Sequence, residues 1–147
     1  MASRERMGLL ERALVSGTIA AAAVTLVVSV AGRRMARSAA APLNATSHFL
    51  WGGDAGRQDE YSLKYTATGF AANYGASIFW ALFYEAMPAR LPPLARGVAV
   101  SALAYVTDYH VGPKRLTPGF ERRLPAGALA AAYGALALGL SARDLLE

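Results

Sequence analysis

Apolar positions in this chain come in four blocks, separated by short polar and basic stretches. The blocks cover about residues 13–32, 66–87, 94–111 and 126–142. Runs of ~17–25 apolar residues are long enough to cross ~30 Å of hydrocarbon as helices. A fifth apolar run, near residues 39–51, is too short to span. Pro42 suits the first turn of a helix there, and Trp51 suits a headgroup-level anchor. The pattern therefore predicts an all-α fold. It is an integral membrane bundle of four transmembrane helices, with a short interfacial or re-entrant helix near 39–51, in a single domain over 1–147.

Within each block, small or polar residues recur every four positions. Block one has Gly17, Ala21, Thr25 and Ser29. Block two has Gly69, Asn73, Ser77, Ala81 and Glu85. Block three has Gly97, Ser101 and Tyr105, with Asp108 near the same face. Block four has Gly127, Ala131, Ala135 and Gly139, flanked by Ala130 and Gly134. Residues four apart share one helix face. Lipid is as apolar as leucine, so helices in a bilayer associate through small residues and buried polar contacts. The stripes predict the inward faces.

The connections carry the charge. MASRERMGLLER reads as an interfacial lead-in, and Gly52 to Lys64 as a polar loop. Pro88, Pro92 and Pro93 make the turn before block three short and stiff. Gly112-Pro113 ends that block, and a basic loop follows through residue 125. The loops after blocks one and three hold nine Lys and Arg, against six on the other side. The positive-inside rule then puts both large loops in the cytoplasm and both termini outside. Residues 1–31 also resemble a cleavable secretory signal. Against that stand Glu5 and Glu11 in the leader and Arg33, Arg34 and Arg37 directly after the run. Asn44-Ala45-Thr46 matches a glycosylation sequon, a short and unspecific pattern.

Composition narrows the chemistry. The chain is 54% hydrophobic and only 17% charged, below the ~25% usual in soluble proteins. An Ala-rich soluble bundle is the bland alternative. With no cysteine, thiolate metal sites and cysteine nucleophiles are excluded. Net charge is +5, but the basic residues flank apolar runs. They read as orientation signals and anionic-lipid contacts rather than as a nucleic-acid surface. No phosphate loop, nucleophile elbow, zincin or paired-carboxylate motif is present.

The candidate functional residues are the ionisable and polar groups inside the blocks: Asn73, Ser77, Glu85 and Asp108. Such groups are costly in a membrane and mark pathways or sites. The plain reading of Glu85 is an interfacial carboxylate, paired with Arg90 or Arg96 or simply hydrated. The functional one is a proton or cation site, with Asn73 and Ser77 further in. Antiparallel blocks put Glu85 and Asp108 roughly 25 Å apart, so they belong to different sites or to two ends of one path. His48 and His110 fall on the same membrane face and, with a carboxylate, are chemically able to ligate a metal. On an ideal helix, however, Asp108 and His110 point to opposite sides. Lys114, Arg115, Arg122 and Arg123 are a retention loop or a contact for anionic headgroups or an acidic partner, with Phe120 inserting at the interface.

SHFLWG, FWALFYE and YVTDYHVGPKRLTPGFE, followed by a small-residue helix, resemble a group of small inner-membrane proteins of Gram-negative bacteria. The resemblance covers the chain from about Ser47 onward and is best at Asp108 to Glu121. It implies four spans and a multi-pass bacterial inner-membrane protein, and no activity.

The expected function is that of a non-enzymatic accessory or structural membrane component. It needs no cofactor. Its partners are the lipid bilayer and either a second copy or another membrane protein, and not nucleic acid. The alternative is a small proton- or cation-coupled transporter or channel using Glu85, Asn73 and Asp108. The third is a metal- or haem-binding redox component using His48 and His110.

Overall fold

A 27-residue helix, α1 (Leu9–Met35), is the axis of the fold. It starts where the Gly8 N–H donates to the Glu11 carboxylate at 2.9 Å. That satisfies one of the amides a helix start leaves free. It stops where Arg37 takes φ 56°, and the Ala36 and Ser38 amides both return to the Gly32 carbonyl. The computed structural model describes residues 6–147, and among these every regular element is helical. Arg4 and Glu5, part of the expected interfacial lead-in, lie outside the described residues.

After α1 come two short helices, α2 (Ala41–Thr46) and α3 (His48–Trp51). A 3₁₀ segment (Gly52–Arg57) and a π-helical turn (Leu63–Ala67) lead into α4 (Thr68–Ala86). Ser62 starts that turn reciprocally: its Oγ accepts the Tyr65 N–H and its own N–H donates to Thr66 Oγ1. Pro92-Pro93 opens α5 (Pro93–Val106), which widens into a π-helical turn over Thr107–Val111. Two 3₁₀ turns (Lys114–Leu116 and Phe120–Arg122) precede α6 (Ala126–Leu146).

The four long helices run alternately up and down. α1 packs along both α4 and α6, and α5 packs mainly on α6. Glycine permits each close crossing. A Cβ at Gly17 would stand 2.7 Å from Ile78 Cα on α4. At Gly139 it would meet Ala20 Cα of α1 at 2.5 Å, and at Gly97 the Ala137 carbonyl of α6 at 2.4 Å. Backbone-to-backbone approach of this kind is how helices pack when small residues line the seam.

The block-two stripe is buried in full, from Gly69 through Asn73, Ser77 and Ala81 to Glu85. The block-four stripe holds at Ala135 and Gly139, which are buried, and fails over the first turns of the helix. Gly127, Ala131 and Gly134 are exposed, and the packed face is Ala128, Ala132, Ala135, Leu136 and Gly139. In so Ala-rich a helix several faces carry small residues, so spacing alone does not choose among them. Tyr105, assigned inward, is exposed.

Two of the described helices, α1 and α6, are long and apolar enough to cross a membrane. α5 has only 14 residues before its π turn, and α4 is diluted by Thr68, Asn73, Tyr74, Ser77 and Glu85. The short run near 39–51 is helical as expected, with Leu50 and Trp51 exposed at its end. Residues 41–48 are buried throughout. A Cβ at Gly69 would fall 1.7 Å from the Leu43 carbonyl, so α2 presses directly on α4.

Candidate functional site

Because the long helices alternate in direction, one end of the molecule collects the starts of α1 and α5 and the ends of α4 and α6. Five charged side chains meet there. Glu85, whose side chain is fully buried, takes Arg12 Nε at 3.3 Å and Arg143 Nη2 at 3.1 Å. Ser16 Oγ donates to Glu85 Oε1 as a close third partner. Asp144 takes Arg96 Nη2 at 2.7 Å, Arg143 Nη2 at 3.0 Å and the Tyr84 hydroxyl at 3.0 Å. The Arg96 guanidinium also lies over the Tyr84 ring, 4.5 Å from its centroid.

This corrects the expected pairing of Glu85 with Arg90 or Arg96. Arg96 belongs to Asp144, and Glu85 reaches across to α1 and α6 instead. Arg143 bridges both carboxylates, so one network ties all four long helices together. Arg96 Nε and Nη1 and Arg143 Nη1 are buried without a hydrogen-bond partner among the described residues. Stacking on Tyr84 is what the Arg96 face receives in place of water. Buried charges are tolerated only when paired in this way.

Arg12, Ser16, Tyr84, Arg143 and Asp144 were missed as site residues in the sequence. Sign matching would have found the charged ones: Arg12, Glu85, Arg96 and Arg143-Asp144 all fall at the same end of four alternating helices.

Asn73, Ser77 and Asp108 lie elsewhere and together line a second feature. It is a partly open cavity of about 260 Å³ between α1, α4 and α6, covered by Thr46 and Phe49 and by residues 116–118 and Phe120. Asn73 Nδ2 donates to Thr25 Oγ1 at 3.2 Å on α1. Asp108 Oδ2 accepts the Tyr133 hydroxyl at 2.6 Å. Tyr133 is therefore a site residue that the sequence reading passed over. The π-helical turn explains how Asp108 and Tyr109 both find partners. The Gly112 amide bonds back five residues to Thr107 at 2.7 Å, and Tyr109 donates to Glu121 at 3.1 Å. The widened turn changes the side-chain phase from that of the ideal helix assumed in the sequence reading. Glu85 does not line this cavity.

His48 is buried, with Nε2 2.8 Å from the Thr117 carbonyl. His110 is exposed and packs edge-on against Tyr105. Among the described residues no group of three His, Asp or Glu is placed to hold a metal ion.

Phe120, expected at the interface, is instead in the core. Gly119 turns the chain there at φ 84°, and a Cβ on it would strike the Ala45 carbonyl at 2.4 Å. Of the four basic loop residues, Lys114, Arg115 and Arg122 are exposed, while Arg123 pairs with Asp59 at 2.6 Å. Arg115 Nε donates to the Phe49 carbonyl at 3.0 Å.

No known family, no curated protein and no solved structure matches this chain.

Proposed function

We propose that this chain is a four-span integral protein of a bacterial inner membrane, serving as a non-enzymatic accessory component that acts through helix and lipid contacts. The observation that carries the reading is the exposure of large apolar side chains along the long helices, which also bury several polar groups. Large apolar side chains point outward along the long helices: Leu26, Phe79, Phe83, Val98, Leu103 and Leu138 are all more than two-fifths exposed. The same helices turn Ser16, Asn73, Ser77, Glu85, Arg96 and Ser101 inward. Outward apolar side chains suit a hydrocarbon surround, and buried polar groups suit helix association within it.

The π-helical turn after Val106 makes up the length that α5 lacks by itself, and the one before Thr68 extends α4. Residues 63–86 and 93–111 are each continuous helix, roughly 36 and 28 Å long at 1.5 Å per residue. The π turns have a slightly different rise, but both lengths remain sufficient to span. At one end Trp51, Tyr61, Leu63 and Leu116 are exposed beside Lys64, which lies over the Trp51 ring at 4.9 Å. Aromatic and basic residues mixed in this way suit a headgroup layer.

The polar interior favours an assembly role because its groups serve as ties between helices. Ser101 donates to the Tyr133 carbonyl at 2.6 Å, and Ser141 to the Pro93 carbonyl at 3.0 Å. The Glu85 network joins four helices. Lys114 and Arg122 are exposed, which suits contact with anionic headgroups.

The chain has no native cysteine, so single-cysteine labelling tests the topology directly. In carbonate-washed membranes, Gly53→Cys and Lys114→Cys should react from one side and Arg90→Cys from the other. Release of the protein by carbonate, or labelling of all three from one side, would sink the reading.

A further inference from the structure

The cavity beside Asp108 has a composition that points to a ligand. Its volume, about 260 Å³, lies just under the ~300 Å³ at which small-molecule pockets begin. Four of its walls are the aromatic rings of Phe49, Trp80, Phe120 and Tyr133. Asn73, Ser77 and Thr117 add uncharged polar atoms, and Asp108 is the single charged side chain in the lining. Among the described residues, Asp108 makes no ion pair, and its hydrogen-bond partner is the Tyr133 hydroxyl. A second carboxylate stands close behind the lining: Glu121 accepts from Thr117 Oγ1 at 2.7 Å and from Tyr109. It too makes no ion pair among the described residues, although the chain as a whole carries a charge of +5.

We propose that this cavity is a binding site for a small lipophilic amine, with its ammonium on Asp108 and its apolar body against Trp80, Phe49 and Phe120. The chemistry selects that class. An anion would meet Asp108 with no cation to offset it. A neutral apolar molecule would fill the rings but leave the carboxylate with one hydrogen bond. A cation satisfies the carboxylate through a charge-assisted bond and also gains from the ring faces. The shape selects small size, because α2, α3 and the loop around Pro118 cover the space. The site requires only the cavity, so it stands or falls independently of the number of spans.

Trp80 supplies the readout. In a Trp51→Phe background it is the remaining tryptophan, so its fluorescence reports on the cavity wall. The full chain in phosphatidylcholine nanodiscs at pH 8 would be titrated with 4-phenylbutylamine and, separately, with 4-phenylbutan-1-ol. Empty nanodiscs provide the correction for partitioning.

The amine should bind saturably and about tenfold or more tighter than the alcohol, the scale of one charge-assisted contact. Asp108→Asn, which can still accept from Tyr133, should bring the amine down to the level of the alcohol. Ala76→Phe, at an exposed position on the cavity lining, should remove both responses. Equal affinities for amine and alcohol would overturn the proposal in favour of a purely apolar cavity. A signal that never saturates, or amine binding unchanged by Asp108→Asn, would overturn it as partitioning into lipid. Should Asp108→Asn fail to fold, the amine-over-alcohol preference of the parent, abolished by Ala76→Phe, decides the matter.

Discussion

Arg143 Nη2 donates to both carboxylate oxygens of Glu85, at 3.1 and 3.2 Å, across 58 residues of sequence. The contact locks the end of α4 to the end of α6. Because the same guanidinium also holds Asp144, it makes a single unit of what would be two separate ion pairs.

Removing Glu85 should therefore be costly. Glu85→Ala leaves Arg12 and Arg143 largely buried without their shared carboxylate. Breaking a buried pair from one side typically costs about 3–5 kcal/mol. Glu85→Gln keeps the shape and an acceptor, and should cost less. Denaturant titration in micelles measures both. A loss under about 1 kcal/mol for Glu85→Ala would mean that the arginines regain water at no real expense.

Arg96 should resist conservative replacement. Its plane both stacks on Tyr84 and donates to Asp144 at 2.7 Å. A lysine ammonium is compact and cannot do both in the same geometry. Arg96→Lys is expected to lose about 1–2 kcal/mol in the same unfolding assay. Stability equal to the parent would show that charge alone, without the planar stack, suffices at this position.

Glycines of similar appearance in α6 should behave oppositely. Gly139→Ala drives a Cβ to 2.5 Å from Ala20 Cα, against backbone that has little room to yield. Overpacking of this kind costs about 1–3 kcal/mol. Gly134 faces open space, so Gly134→Ala should be neutral or gain about 0.4–1 kcal/mol from a stiffer unfolded chain. The pair, compared by thermal unfolding, reads out the α1–α6 seam. Equal effects would place the seam elsewhere.

The loop over residues 112–125 should depend on two contacts with α2 and α3. His48→Ala removes the bond to the Thr117 carbonyl and should cost about 1 kcal/mol. Gly119→Ala meets both a left-handed φ of 84° and the Ala45 carbonyl, and should cost more, about 1–3 kcal/mol. Limited trypsin cleavage at Lys114 and Arg115 is the measurement. Both variants should be cut faster than the parent, Gly119→Ala the more so. Unchanged cleavage would show that the loop is held by other contacts.

Much of the helical framework was legible without coordinates, because length and periodicity are local properties. Four helical blocks, the short helix after Pro42, the break at Gly112-Pro113 and the buried stripe from Gly69 to Glu85 could all be read from spacing. Helix phase was less secure. In α6 almost every face carries Ala or Gly, so only the partner backbone decides which face is buried. In the turn after Val106, a π-helical geometry that no residue pattern announced set the side-chain directions.

What the chain determined by itself was an all-helical protein with charges clustered at the helix ends and polar groups on one face of block two. Only the tertiary structure decided which charge meets which. Glu85 pairs with Arg12 and Arg143, Arg96 with Asp144, and Asp108 with the Tyr133 hydroxyl. The physical reason is that pairing across helices depends on the order in which they pack and on rotation about their axes. Both are set by close backbone contacts at residues such as Gly17 and Gly139, and the spacing of residues along one helix does not specify which partner each face meets.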